Sequence, residues 1–513
     1  MRITKDKLRY INRAIIGVLV TISLISSCKN GNEEANSRNP NIIFFLVDDM
    51  GWQDTSLPFW KEKTPLNQKF HTPNMEKLAS QGMMFTQAYA NSICSPSRTS
   101  LMTGMNAARH KVTNWTLRKD QTVDAKDDLL KFPDWNLNGL QPANVDTIFR
   151  TISATTLPEI LHRNGYFTIH CGKAHWGAEG TPGANPLNLG FDVNIAGHFA
   201  GGVGSFEGIH DFSAAWRNGD LIWDVPGMNE YQGKDIHLTD ALTAEAKKAM
   251  DKALETDKPF YLYMSHYAVH QPWAPHKPFY QKYIDMGLDE SAALYGSMVE
   301  GMDKSLGELM GFLEKKGISD NTVILFMSDN GGVGGSCFPL NGGKGSAYEG
   351  GIREPMIVKW PGVVEEASVC KEYLVIEDYF PSILEIAGIE EYQTKQIVDG
   401  KSFVPMLKKE GTTSDGRELF WHFPNKWGGR GPGVGTSSTI RSGDWKLVYW
   451  YKDQNFELFN IPTDIGEKNN MAEHYPEKVK ELASKLGSFL REVDATLPTS
   501  KSSGKVVPYP DEI

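Results

Sequence analysis

Two acidic pairs stand out for what they could bind. Asp48-Asp49 follows the apolar run Asn41–Val47 (NIIFFLV), and Asp329-Asn330 follows Thr322–Met327 (TVILFM) after Ser328. Three carboxylates and an amide oxygen make a hard-oxygen ligand set. Such a set suits Ca²⁺, with Mg²⁺ as the second choice, better than zinc, which prefers histidine and cysteine. Asp-Asp and Asp-Asn-Gly are also common turn and cap signals. The shared placement at the ends of apolar runs favours the metal.

A third group is Cys94-Ser95-Pro96-Ser97-Arg98, followed by Thr99-Ser100-Leu101-Met102-Thr103-Gly104. Pro96 fits the first turn of a helix and Gly104 its C-terminal stop. Cys94 would then sit at a helix N-terminus, where backbone N–H groups favour an anion. A lone cysteine is ordinarily a small buried hydrophobe. The polar neighbours Ser95, Ser97 and Arg98 argue against that, and a simple thiolate nucleophile is the other reading. Lys173 and His175 follow the run Tyr166–Cys171, and His270 follows Pro259–Met264. Lys344 lies in a Gly-rich loop with no sequence-local acidic partner, which suits a substrate-facing cation.

These residues need a scaffold that brings strand ends together. The four apolar runs just named are near-continuous, as strands covered on both faces must be, and that pattern predicts a parallel sheet. Helical patterns fall between them at Thr72–Gln81, Thr156–Arg163, Asp240–Glu255 and Ala292–Lys315. The alternation predicts a doubly wound α/β domain, whose ligand site lies outside the carboxyl ends of the strands. Each run delivers charged or metal-competent side chains at that end. After about residue 412 the texture becomes short, aromatic and β-branched: Glu418–Phe423, Ser438–Arg441, Trp445–Tyr451 and Glu457–Asn460, then an amphipathic helix Glu477–Asp494. A small antiparallel sheet plus helix is expected there. The segment Gly428–Gly435 has no strand–loop–helix context and is expected to be a loop, not a nucleotide cradle.

Composition narrows the class. The chain has 513 residues, 40% hydrophobic and 23% charged, which is enough apolar material for a large core and excludes dominant disorder. A net charge of −10 offers no basic footprint for nucleic acid. Five cysteines are not a disulfide framework in so long a chain. Cys171, Cys337 and Cys370 are expected to be free or to form at most one disulfide. Arg2, Lys5, Lys7, Arg9 and Arg13 precede the apolar stretch Ala14–Ile25, which is short for a bilayer span and ends in Ile25-Ser26-Ser27-Cys28. That pattern resembles a bacterial lipoprotein leader with Cys28 as the lipidated residue. Four segments are therefore expected: a signal peptide (1–27), a flexible tether (28–39), a catalytic domain (40–412) and a C-terminal subdomain (413–513). Export to the periplasm or cell surface follows, with a lipid anchor as the only membrane contact.

The motif Cys94-x-Pro96-x-Arg98 with Leu101-Met102-Thr103-Gly104 resembles the signature of the type I sulfatases, in which a maturation enzyme converts the cysteine to Cα-formylglycine. Further blocks match that family in order: Asp48-Asp49-Met50-Gly51, Gly172-Lys173-Ala174-His175, His270-Gln271-Pro272, Ser328-Asp329-Asn330-Gly331, and Gly343-Lys344-Gly345 through Tyr348 to Pro355. Together they span roughly residues 40–470. The resemblance implies an alkaline-phosphatase-like fold and hydrolysis of sulfate monoesters on glycans. It makes Asp48, Asp49, Asp329 and Asn330 ligands of Ca²⁺, and residue 94 the nucleophile as an aldehyde hydrate. Arg98 and Lys173 would hold formylglycine and the sulfate oxygens, His175 would be the base, and His270 and Lys344 would face the leaving group.

Stretches around Asn114–Arg118, Trp135–Leu140 and Gly180–His198 resemble bacterial carbohydrate sulfatases that remove 4-O-sulfate from galactose or N-acetylgalactosamine. Within them Trp115 would stack on a sugar, and Arg118 and His198 would bind its hydroxyls. His422 is expected to reach the pocket from the C-terminal subdomain. A sulfatase for the 6-position or another sugar, a formylglycine-dependent phosphonate or phosphate ester hydrolase, and a non-catalytic glycan-binding protein are the competing readings. His266 and Tyr267 are expected to pack, Glu349 and Arg353 to pair locally, and His110 to steady the Cys94 helix.

Overall fold

A mixed eight-stranded sheet forms the centre of the molecule. The computed structural model describes residues 39–335, 337–412 and 414–513, and the leader, Cys28 and the tether up to residue 38 lie outside the described residues. In chain order the sheet's strands are β1 Asn41–Val47, β2 Met83–Tyr89, β3 Phe167–Gly172, β4 Val193–Ile195, β5 Phe260–Ser265, β6 Thr322–Ser328, β7 Arg353–Lys359 and β8 Ser368–Val375. Their order across the sheet is β8-β2-β7-β6-β1-β5-β3-β4, and only β7 runs antiparallel to its neighbours.

The four expected strands occupy adjacent positions, β6-β1-β5-β3, within a residue of the expected bounds. β1 is buried along its whole length. Ile42, Phe44 and Leu46 enter one core, and Ile43, Phe45 and Val47 enter the other, so both faces are covered. That is why the run is continuously apolar instead of alternating. Helices on the two faces include α1 Pro73–Ser80, α2 Cys94–Thr103, α3 Leu157–Arg163, α4 Leu238–Leu254, α5 Glu290–Lys316 and α6 Tyr379–Ile386. α5 starts two residues before the expected position because Asp289 caps it, its side chain accepting from the Ala292 N–H.

Register sets the site. Leu46 pairs with Ser265, Val47 with Ser328, and Gly172 with Ser265. The carboxyl ends of β3, β5, β1 and β6 therefore finish in one row. Beyond the central sheet, β9 Glu418–Phe423, β10 Ser437–Ser442, β11 Trp445–Trp450 and β12 Asn455–Asn460 make an antiparallel meander. Helix α7, Pro476–Glu492, packs Leu482, Leu486 and Leu490 against Ile440, Leu447 and Tyr449. Cys94, Cys171, Cys337 and Cys370 are all free thiols.

Candidate active site

Asp48 and Asp49 leave the end of β1, and Asp329 and Asn330 leave the end of β6. Carboxylate oxygens of Asp48, Asp49 and Asp329 lie within 4.8 Å of one another, all buried. Asp49 turns through a positive φ of 64°, which aims its side chain back toward Asp329 instead of along the strand. Asp49 N–H donates to Asp329 Oδ1 (3.2 Å), and Asn330 Nδ2 donates to Asp49 Oδ1 (2.7 Å). Asp48 Oδ1 and Asn330 Oδ1 are buried and have no hydrogen-bond partner. Orphaned buried oxygens are costly unless something positive meets them. The all-oxygen donor set and these two free oxygens fit a hard divalent cation.

Three cations crowd the same carboxylates. Lys173 Nζ is 2.7 Å from Asp48 Oδ2, Lys344 Nζ is 2.5 Å from Asp49 Oδ1, and Arg98 Nη2 is 2.8 Å from Asp329 Oδ2. Burial pushes the Asp49 carboxyl up, but Lys344, His270 and Lys173 outweigh it and hold the group ionised, below its ordinary range. Arg98 is fully buried and also donates from Nη1 to Ser265 Oγ (2.6 Å) and to the Lys173 carbonyl (3.1 Å). It thus ties the ends of β3, β5 and β6 together from beneath and is not among the residues lining the pocket.

Cys94 opens α2, a helix buried at every position, and Gly104 ends it at a φ of 70°. A Cβ on Gly104 would meet Val398 and Phe380 at 2.8 and 3.1 Å. His110 Nε2 meets Ser100 Oγ at 3.1 Å and steadies the helix, as expected. Burial pushes the Cys94 thiol above its ordinary value, against the pull of Lys173 and Lys344. An unmodified thiolate at neutral pH is therefore disfavoured, which weakens the simple thiolate reading.

His175 is held on three sides. Its backbone N–H donates to the His198 carbonyl (3.1 Å), its carbonyl accepts from Ser95 Oγ (3.2 Å), and its Nε2 lies 2.8 Å from the Thr116 carbonyl. A carbonyl only accepts, so Nε2 carries the hydrogen and Nδ1 presents its lone pair. Nδ1 has no partner, and burial, seconded by Lys173, keeps the ring neutral by pushing its pKa well down. That is the state a general base requires. Gly201 packs on this ring, and a Cβ there would fall 2.1 Å from Cε1 and 2.3 Å from Nδ1. Gly201→Ala is expected to displace the imidazole and lower kcat ~10²-fold. Steady-state kinetics on the matured enzyme checks this, and a kcat within twofold of wild type would refute it.

A pocket of ≈ 170 Å³ is lined by Ile93, Cys94, Trp115, His175, Gly201, Trp223, His270, Lys344 and Trp427. His270 Nε2 faces Asp49 Oδ2 at 3.7 Å, and its Nδ1 meets the Gln271 carbonyl at 2.6 Å. The structure thus gathers Cys94, His175, His270, Lys344 and Trp115 in one cavity beside the acidic cage. It does not gather all the expected sugar contacts. Arg118 Nη2 pairs with Asp220 Oδ2 at 2.5 Å and does not line the pocket. The His198 ring packs on Phe199 and Tyr267 and does not line the pocket, while its backbone carbonyl accepts from the His175 N–H. His422 hydrogen-bonds Ser438 Oγ (2.7 Å) and the Thr496 carbonyl (3.1 Å), and faces a separate small cavity behind α2. Sequence reading missed Trp223 and Trp427. Trp427 directly precedes the Gly-rich stretch Gly428–Gly435, and that neighbourhood is its sequence signal.

A row of strand ends carrying buried carboxylates, beneath a helix-borne residue 94, defines a hydrolase of the alkaline-phosphatase-like fold. The family model "Sulfatase" matches residues 40–389, and the model "N-sulphoglucosamine sulphohydrolase, C-terminal" matches residues 343–496. The chain belongs to the sulfatase family and is a sulfuric ester hydrolase. It is 30% identical to a sulfatase of Formosa agariphila, with 99% of this chain and 98% of that protein covered. It is 29% identical to the N-acetylgalactosamine-6-sulfatase of Mus musculus over 84% of this chain and 76% of that one. Among solved structures, Ps i-CgsB superposes with a TM-score of 0.71 at 27% identity, covering 88% of this chain and 93% of that one. A complex of the same protein holds k-i-k-neocarrahexaose.

Proposed function

We propose that this protein removes a sulfate ester from a galactose-type sugar at the end of a glycan. The observation that carries the reading is the meeting of Cys94, His175, His270 and Lys344 in one pocket beside the acidic cage. Names of relatives favour a carbohydrate, and N-acetylgalactosamine-6-sulfatase sets the 6-position ahead of the 4-position expected from the sequence.

Asp48, Asp49, Asp329 and Asn330 would hold Ca²⁺, or Mg²⁺, which would supply Lewis-acid charge neutralisation. Converted to formylglycine by a maturation enzyme, residue 94 would supply a gem-diol, one hydroxyl to attack sulfur and a second to let sulfate be expelled. His175 Nδ1 takes the proton from that second hydroxyl, because its lone pair is free and Nε2–H is committed to Thr116. Lys173 and Lys344 neutralise oxygens of the sulfate group as charge shifts in the transition state. On the leaving-group side, burial pushes the His270 ring down to about 4 and its Nδ1–H is committed to Gln271, so the neutral ring accepts at Nε2 while the Lys344 ammonium is the group charged to donate the proton. Arg98 positions Asp329 and the β3 end. Trp115, Trp223 and Trp427 wall the sugar. The lipoprotein-type leader would place this activity outside the cytoplasm, anchored through Cys28; a Cys28→Ala variant released from the membrane fraction would support that, and one retained there would not.

The test is sulfate release by mature protein produced with a maturation enzyme, on galactose and N-acetylgalactosamine sulfated at the 4- or 6-position. Release from 6-O-sulfated sugar is expected. Release from 4-O alone would keep the chemistry and reverse the position, and release from neither, with aldehyde present at residue 94, would refute the substrate class. The cage makes its own prediction. Three buried carboxylates repel one another, so Ca²⁺ at about 100 times its Kd is expected to stabilise the fold by about 2.7 kcal/mol. Melting curves with Ca²⁺ and with chelator check this, and the shift is expected to vanish in Asp48→Asn.

A further inference from the structure

We propose that the cleft on the far side of Trp427 binds the sugar next to the sulfated one, and that Arg430 grips an anionic group on that neighbour. The proposal rests on the sulfatase reading above and extends it from a single ring to an acidic oligosaccharide. The catalytic pocket, at ≈ 170 Å³, falls below the roughly 300–1,000 Å³ of ordinary small-molecule sites. It has room for a sulfate and little more than one ring. An adjoining cleft of ≈ 470 Å³ shares two of its residues, Lys344 and Trp427, and is further lined by Gly332, Asn341, Arg430 and Val434. A chain leaving the pocket past Trp427 therefore enters this cleft directly.

The partition between the two cavities is built, not incidental. The Trp427 indole is held between two glycines. A Cβ on Gly345 would fall 2.2 Å from Trp427 Cε3, and one on Gly429 would fall 2.0 Å from Cζ3. The two Gly-rich loops that carry them are joined across more than eighty residues of sequence: Ser346 Oγ donates to the Pro432 carbonyl (2.9 Å) and Ala347 N–H to the Gly433 carbonyl (2.9 Å). An indole fixed in this way presents a rigid apolar wall to both cavities.

Charge selects the occupant. No acidic residue lines this cleft among the described residues, and Arg430 gives it positive charge on a chain whose net charge is −10, the Lys344 ammonium being paired with Asp49. Arg430 is exposed and has no ion pair among the described residues. A planar guanidinium left free at the edge of a cleft matches a carboxylate or a sulfate in a two-pronged bond.

The test is calorimetric binding to the full-length Cys94→Ala protein, which does not turn over. Three disaccharides share 6-O-sulfated N-acetylgalactosamine and differ in the neighbour: a hexuronic acid, a sulfated galactose, or neutral galactose. At least one acidic neighbour is expected to bind about tenfold tighter than the neutral one. Arg430→Ala is expected to erase that preference and Arg430→Lys to restore part of it. Preference for the uronic acid assigns a carboxylate, and preference for sulfated galactose assigns a second sulfate. Equal binding of all three, including none, or a preference that survives Arg430→Ala, would overturn the proposal. Sulfate release from the monosaccharide by the matured wild-type enzyme reports separately on the sulfatase reading.

Discussion

Replacing Cys94 with alanine is expected to abolish sulfate release, by about 10⁴-fold or more, while leaving the fold and the Ca²⁺-dependent melting shift in place. The physical reason is that nothing else in the pocket can replace the nucleophile. Ser95, the neighbouring hydroxyl, is turned away and donates to the His175 carbonyl. The cage and Lys173 would still hold a sulfate ester, so binding persists while chemistry stops. Mass spectrometry of the residue 94 peptide completes the test. An aldehyde in wild type together with a silent Cys94→Ala variant supports the proposed nucleophile. A fully active Cys94→Ala variant would sink it. Activity in wild type whose residue 94 is an intact thiol would sink it equally, since burial holds that thiol protonated.

The second large effect is expected far from the pocket. Lys446, on β11, is fully buried between Glu349 Oε1 (3.1 Å) and Glu467 Oε1 (2.8 Å). Glu349 also accepts from Tyr89 OH (2.7 Å) and pairs with Arg353 Nη1 (3.2 Å), and Glu467 Oε2 accepts the Glu349 N–H (2.6 Å). This network ties the meander to β2 and β7 of the central sheet. Lys446→Met leaves two buried carboxylates facing each other and is expected to cost about 3–5 kcal/mol at neutral pH. The pH dependence has a definite sign. Burial raises the Glu467 carboxyl to about 7 in the folded protein, above its ordinary 4.5. A carboxyl raised on folding adds stability that is fully present below 4.5 and is withdrawn as pH climbs through about 7. Without the lysine this withdrawal is stronger, because the ionised form has lost its partner. Urea melts at pH 5 and pH 8 are therefore expected to show a small penalty for Lys446→Met at the lower pH and a large one at the higher. A penalty independent of pH would mean that lost packing, not lost charge, destabilises the variant.

Much of the fold was legible because burial on both faces leaves a direct mark on composition. β1, β5 and β6 are unbroken apolar runs, and each ends where a polar pair begins. β2, β4, β7 and β8 were not read as strands. β7 begins Arg353-Glu354-Pro355, a loop-like opening after a Gly-rich segment. In the structure Arg353 is neutralised by Glu349, and the pairing with β2 shifts register between Glu354 and Met356. Pro355, which has no N–H, sits in that shift and leaves no ladder bond missing. Pairing with β2, more than 260 residues away in the chain, and with β6 makes the segment a strand. β8 is half exposed at the sheet edge, and its mixed pattern carries no clear period.

The candidate site divides along the same line. Asp48, Asp49, Lys173, His175, Asp329 and Asn330 follow apolar runs directly, and a parallel sheet must bring such ends to one edge. Sequence alone therefore determined which side chains meet, and with the Cys94 motif it determined the family. Tertiary structure decided their directions. Arg98 serves the strand ends, His198 contributes its carbonyl, and His422 faces a different cavity, because each is oriented by partners outside its own segment: Lys173 for Arg98, Tyr267 for His198 and Thr496 for His422. Trp223 ends a single 3₁₀ turn, Leu221–Trp223, and Trp427 lies in a loop, so neither has a period to betray it. Local sequence encodes burial and capping, which act over a few residues. The aim of a side chain on a long loop is set by whatever distant surface that loop packs against, and that is settled only when the chain has folded.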